Sequence, residues 1–242
     1  MKKNKKTIII VGIILIITLG FIILFSNLDK LEKDSLKFKK DYESLNNKVR
    51  ESDGETYNSI SIPKDNPIKY INTKEALDIL ESDKAIIYIG AEWCPWCRNA
   101  VPILFEVAKK YQVETIYYLN LDKEKSNYEI KDGKLKEIQK GTKSYYQLLD
   151  KLADHLDDYV LTDDNGKKYD TKEKRIFMPF IVAIKDKKVV DKYIGTVTLE
   201  TDQTKYDNLT KEQHTDLFNT YDAMFAKVYG NKDVCTEGEK CD

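Results

Sequence analysis

The alternation of apolar and polar positions divides the chain into regions of different texture. Residues 7–25 form an uncharged run of Ile, Leu, Val, Phe, Gly and Thr. As a helix rising about 1.5 Å per residue, that run spans about 28 Å, close to the hydrocarbon thickness of a bilayer. It predicts one transmembrane anchor within residues 1–26. From Leu28 to Val49 the pattern changes. Leu28, Leu31, Ser35, Phe38, Tyr42, Leu45 and Val49 recur three and four apart, with Glu, Lys and Asp on the other faces. This heptad-like stripe predicts a charged helical stalk and linker over 27–56, closed by Glu51-Ser52-Asp53-Gly54. The polar Ser35 and the short length leave three readings open: a solvated helix, a helix lying on the folded part, and a dimerising coil.

A domain of mixed character is predicted over 57–230. Strand-like segments fall at 60–62, 68–71, 85–90, 114–121, 178–184 and 189–195. Helical patterns fall after Thr73, from Pro95 to about Tyr111, and from about Thr210 to Tyr229, where Gly230 stops the last one. Between the fourth and fifth strands, about 123–176 reads as an insertion. Its first part is polar and poorly patterned. Thr142 then caps a helix whose face is Tyr145, Leu148, Leu149, Leu152, Leu156 and Tyr159, and Asp164-Asn165-Gly166 reads as a tight turn. Residues 231–242 form a tail with Cys235 and Cys241.

The chemistry concentrates at Trp93-Cys94-Pro95-Trp96-Cys97. An apolar strand runs into this segment and a helix leaves it. The start of a helix carries partial positive charge and unpaired N–H groups, which stabilise a thiolate. Cys94 is therefore the predicted nucleophile. Cys97, one turn on, can close a disulfide with it and reopen that bond by exchange. Pro95 suits the first helical turn, where its missing N–H is no loss. Half a zinc site, or two inert buried cysteines, are the plainer alternatives. The isolated His155 and His214 are assigned no catalytic role.

Ala91-Glu92-Trp93-Cys94, the later Pro102-Ile103-Leu104-Phe105-Glu106, Leu119-Asn120-Leu121-Asp122, and Met178-Pro179-Phe180-Ile181-Val182-Ala183-Ile184 together resemble the thioredoxin family. The resemblance covers about 68–122 and 176–229. It implies an α/β thioredoxin-like fold, a central mixed sheet flanked by helices, with a helical insertion before a cis-proline at Pro179. It implies catalysis by Cys94 and Cys97, with substrate held by Trp93, Pro95, Trp96, Met178 and Pro179. Two departures stand out. Tyr88 occupies the position where that family has a buried acid, and Pro-Trp separates the cysteines. A narrower resemblance is to thioredoxin-like bacteriocin transport accessory proteins of bacteria, with a membrane-proximal anchor, a Cys-Pro-aromatic-Cys site and a long insertion before the proline.

Charge and cysteine usage refine this picture. Forty basic side chains face 41 acidic ones for a net charge of −1, so no basic excess invites nucleic acid. The lysines Lys2, Lys3, Lys5 and Lys6 favour a cytosolic N-terminus and a catalytic domain outside the cell, although lysines follow the apolar run as well. Cys235 and Cys241 read as a secondary disulfide, a relay to the active pair, or, with that pair, zinc ligands.

The function expected from all this is a membrane-tethered thiol–disulfide oxidoreductase. It needs no organic cofactor or metal, acts on exported polypeptides, and is recharged by a redox partner. The external site and Pro95 point toward oxidation or isomerisation, and reduction of a dedicated partner stays open. The rival is a non-catalytic binding or assembly module at an export machine.

Overall fold

The computed structural model describes residues 16–18 and 29–231. The predicted anchor, apart from helical residues 16–18, and the tail cysteines Cys235 and Cys241 lie outside the described residues. Among the described residues no helix is long and apolar enough to cross a membrane.

The first described element of length, α1, is helical over 29–43. Ion pairs at i,i+4 run along its outer faces: Lys33–Asp29 at 2.7 Å, Lys37–Asp41 at 2.5 Å and Lys39–Glu43 at 2.5 Å. Of the three readings of the stripe, the helix lying on the folded part holds: its apolar face is turned inward. Phe38 and Tyr42 are fully buried, and Ser35 is buried with its hydroxyl bonded to Leu31 O and Asn66 O at 2.8 and 2.6 Å. The packed unit therefore takes in α1 and does not begin near Tyr57. Ser35, which interrupts an apolar coil, is here a bond to the 63–67 loop. The linker is equally built in: Val49 bridges Thr56, and Arg50 and Asp53 both hold the Tyr206 hydroxyl.

The central sheet has five strands in the order β1-β3-β2-β8-β9. These are β1 (Ile68–Ile71), β2 (Lys84–Ile89), β3 (Ile116–Leu119), β8 (Phe180–Lys185) and β9 (Lys188–Ile194). Both β1 and β2 pair with β3 in parallel, whereas β8 runs antiparallel to β2 and to β9. Strand β2 is apolar from Ala85 onward because both its faces are covered there. Ile86 and Tyr88 face one core, Ala85, Ile87 and Ile89 the other. The first core is closed by α1, α3 (Pro95–Lys110) and α5 (Lys211–Tyr229). The second is closed by α2 (Thr73–Ile79) and α4 (Lys143–Lys151). Asp186 and Lys187 both take positive φ, 51° and 62°, and make the tight turn between β8 and β9.

Two sequence expectations change. Residues 60–62 form no strand. Asn46 exchanges bonds with Ile60, its amide donating to Ile60 O at 2.8 Å and its Oδ1 accepting from Ile60 N at 3.1 Å, while Glu43 Oε1 accepts from Ile62 N at 2.8 Å. Side chains at the end of α1 thus replace a neighbouring strand. The insertion is not mainly helical. It holds the hairpin β4 (Asn127–Lys131) and β5 (Lys134–Gln139), then α4 and a short 3₁₀ turn, then the hairpin β6 (Asp157–Thr162) and β7 (Lys168–Arg175). The β4–β5 turn is Asp132-Gly133, both at positive φ, a dipeptide that favours this turn. Helix α4, capped by Thr142 as expected, buries Tyr145, Leu148 and Leu149 in the second core, so it extends the core; it ends at Lys151, so Leu156 lies beyond it and Tyr159, expected on its face, lies in β6.

Because Phe38 packs against the rings of Tyr42, Tyr70, Phe105 and Tyr118, Phe38→Ala is expected to cost about 3–5 kcal/mol. Denaturant unfolding followed by tryptophan fluorescence measures this. A change under about 0.5 kcal/mol is what a solvated stalk requires.

Candidate active site

The two thiols sit where β2 ends and α3 begins. Cys94 is the N-cap of α3, with extended backbone, and its Sγ accepts a hydrogen bond from Cys97 N at 3.4 Å. Sulfur here does the work usually done by a Ser, Thr or Asp oxygen. Pro95 fills the first helical position, and Pro102 lies within the helix. Cys94 is 6% exposed and Cys97 fully buried; both are free thiols.

The two sulfurs differ in acidity for physical reasons. The Cys97 thiol, donating a hydrogen bond, pulls the Cys94 pKa below the ordinary cysteine value. Burial opposes this, while the backbone N–H groups of Cys97 and Trp96 and the charge of Lys205 add to it. Lys205 is placed there because Asn99 of α3 holds its loop, donating to Lys205 O at 3.4 Å and Asp207 O at 3.0 Å. Cys97 is pushed well above the ordinary value, first by burial, then by the hydrogen bond and charge of Cys94.

Opposite the thiols, the Met178–Pro179 peptide bond is cis and the Cys94 thiol donates to Met178 O at 3.8 Å. Proline has no N–H, and β8 begins only at Phe180. Trp93 is exposed, its indole N–H donating to Asp122 at 2.5 Å, with Lys125 paired to Asp122 and lying 5.3 Å from the ring centroid. Trp96 and Met178 are half-buried, and Phe177 is 40% exposed beside Met178. The structure thus gathers Trp93, Cys94, Pro95, Trp96, Cys97, Met178 and Pro179 at one edge. It adds Phe177, Asp122 and Lys205, which sequence reasoning missed. Phe177 stood next to the marked Met-Pro pair and was legible. Lys205 was not, because its position depends on a loop held by tertiary contacts. A cleft of about 690 Å³ lies elsewhere, between α1, the 63–67 loop and the C-terminal half of α3, and neither thiol lines it.

The anchoring device behind the site is Arg98. It is fully buried, yet no carboxylate pairs with it among the described residues. Nη1 donates to Tyr42 O at 2.7 Å and Glu92 O at 3.4 Å, Nη2 to Asn46 Oδ1 at 2.6 Å and Asn58 O at 2.7 Å, and Nε to Asn58 Oδ1 at 3.3 Å. One guanidinium thereby fastens the end of α1, the 58 segment and the loop just before Cys94. Among the described residues no group of three or more His, Cys, Asp or Glu side chains is placed to hold a metal ion.

A parallel β1-β3-β2 half, an antiparallel β8-β9 hairpin and flanking helices fit a thioredoxin-like fold. No protein-family model matches the chain, and no curated protein does. Solved structures do. The oxidised thioredoxin of Plasmodium falciparum is 15% identical, over 64% of this chain and 97% of its own, with a TM-score of 0.31. Oxidised mitochondrial thioredoxin 3 of Saccharomyces cerevisiae is 17% identical, over 53% of this chain and 83% of its own, with a TM-score of 0.31. A chain from structural work on thiol resolution in yeast mitochondrial 1-Cys peroxiredoxin is 16% identical, over 53% and 83%, also at 0.31. The fold assignment rests on strand order and direction, not on these superpositions.

The Cys97 thiol supplies the largest push on Cys94, and removing a donor to a thiolate raises its pKa. Cys97→Ala is therefore expected to move the midpoint of Cys94 alkylation to higher pH than in the wild type. Iodoacetamide labelling across pH, resolved by peptide mass spectrometry, checks the direction.

Proposed function

We propose that this chain is a thiol–disulfide oxidoreductase acting on polypeptides, with Cys94 as the attacking or attacked sulfur and Cys97 as the resolving one. The observation that carries the reading is the asymmetry of the pair. One sulfur caps a helix at the protein edge with lowered pKa; the other is sealed one turn beneath it with raised pKa. Such a pair attacks with the outer thiolate and resolves with the inner one. Cys94 thiolate attacks a substrate disulfide, forming a mixed disulfide and releasing one substrate thiolate. Cys97 then attacks Cys94, closing the internal disulfide and releasing the second; the reverse sequence oxidises a substrate dithiol.

The surroundings support a polypeptide substrate. Trp93, next to Cys94, and Phe177, next to Met178, present exposed aromatic surface. The half-buried Met178, whose carbonyl the Cys94 thiol reaches, precedes the cis bond and β8, and is the main-chain stretch an extended segment would pair with beside the sulfur. We place the catalytic domain outside a bacterial cell membrane, held by the apolar run at 7–25, with exported polypeptides as substrates and a separate partner resetting the thiols. The four N-terminal lysines and the length of the apolar run support this placement.

Cys94→Ser is expected to abolish disulfide exchange with a denatured, disulfide-bonded polypeptide. Cys97→Ser is expected to accumulate mixed disulfides that dissolve on adding dithiothreitol, visible as mass-shifted species on non-reducing gels. Wild-type rates in Cys94→Ser, or an empty trap in Cys97→Ser, overturn the assignment.

A further inference from the structure

Two segments far apart in sequence bring groups to Cys94. The turn after β3 holds the exposed Trp93: Asp122 accepts from its indole N–H at 2.5 Å, and Lys125 pairs with Asp122 at 2.7 Å. The end of β7 leads through Ile176 to the exposed Phe177 and to Met178, whose carbonyl the Cys94 thiol reaches. The insertion connects these segments along the chain, and it also joins them directly.

The junction is built on Ser126, the residue after Lys125, which is fully buried. Its hydroxyl donates to Glu173 Oε2 at 2.6 Å, and its carbonyl accepts from Arg175 Nη1 at 2.5 Å. Glu173 and Arg175 are two apart on β7, so both project from the same face. Glu173 Oε1 accepts from Tyr128 Oη at 2.7 Å, which gives each carboxylate oxygen its own hydroxyl donor. The Arg175 guanidinium lies 4.4 Å from the Tyr159 ring centroid. On the other side of Ser126, Gln139 of β5 pins the turn that holds Trp93, its Nε2 donating to Asp122 O at 2.9 Å and Lys125 O at 2.6 Å. Apolar side chains would hold two hairpins together without the cost of burying polar groups. What a fully paired polar junction adds is a single fixed geometry.

We propose that the Ser126–Glu173–Arg175 junction is a positioning device for polypeptide substrates. It fixes the segment that holds Trp93 against the segment that bears Phe177 and Met178. Two aromatic surfaces and a main-chain carbonyl are thereby set to receive an extended chain with bulky apolar residues beside its disulfide. The three junction residues touch no substrate; they act through Trp93, Phe177 and Met178 and are positioning residues. A disulfide too small to reach the aromatic surfaces gains nothing from the junction, whereas a polypeptide does.

The inference rests on the proposed exchange activity, and the choice of substrates separates the two. Reduced full-length protein is mixed with one of three disulfides, quenched with acid at intervals, and the loss of the Cys94 thiol is followed by mass spectrometry. Two are cyclic peptides closed by one disulfide, alike except that leucine or serine stands beside each cysteine; the third is hydroxyethyl disulfide. Wild type is expected to react about tenfold faster with the leucine peptide than with the serine peptide. Arg175→Met is expected to remove most of that preference and to change the rate with hydroxyethyl disulfide by less than about twofold. Arg175→Lys, which can still donate to the Ser126 carbonyl, should keep part of the preference. In a chain already carrying Trp93→Ala and Phe177→Ala, Arg175→Met should cost nothing further, because the surfaces it positions are gone. An absent preference in wild type, an unchanged preference in Arg175→Met, equal slowing with the small disulfide, or a further loss in the doubly substituted chain each overturns the junction's role. If Arg175→Met does not fold, Ser126→Ala, which removes the hydroxyl and leaves the carbonyl, is read in the same way. A wild type that reacts with none of the three disulfides overturns the exchange reading itself.

Discussion

The site depends on one hydrogen bond, from the Cys97 backbone N–H to the Cys94 sulfur. It makes a cysteine the cap of the helix, so the group that ends an unpaired row of N–H donors is also the group that reacts. Stability and reactivity are then drawn from the same dipoles. The sheet sets up this contact by delivering β2, apolar on both faces, directly beneath the helix start. The cis Met178–Pro179 bond closes the other side, with the Met178 carbonyl reached by the Cys94 thiol.

The division between the two cysteines follows from their depth. Only one turn of helix separates them, yet one lies at the protein edge and the other is fully buried in the first core. Neither charge nor sequence spacing distinguishes them. What does is the packing of α1 and α5 over the helix, which removes water from the second sulfur and leaves the first at the rim. Helix α1 therefore contributes to the site from behind, through the buried Phe38 and Tyr42.

Much of the fold was legible in the sequence because its signals are local. The apolar run of β2 before Cys94, Pro95 at the helix start, and Thr210 and Gly230 around α5 each act within a few residues. The failures were of two kinds. Asp132-Gly133 was a readable turn signal, passed over because its flanking strands are short and mostly polar, with apolar alternation confined to Tyr128 and Ile130 of β4. Helix α1 was left with three readings, of which the helix lying on the folded part holds, because a three-four stripe states only that a face is buried, not against what. Phe38 and Tyr42 would serve a coil as well as a core. Arg98 was invisible as a clamp because its partners are main-chain carbonyls and amides, which carry no sequence signal of their own.

The make-up of that clamp has a consequence for how the molecule tolerates its surroundings. A guanidinium holds its proton throughout the biological range, and every oxygen it grips is neutral. Acidification has no counter-ion to discharge, so the joint between the amino-terminal helix and the loop ahead of the reactive sulfur should hold alike in an acidified medium and an alkaline one. A buried arginine–aspartate pair at the same joint would loosen as its acid took up a proton.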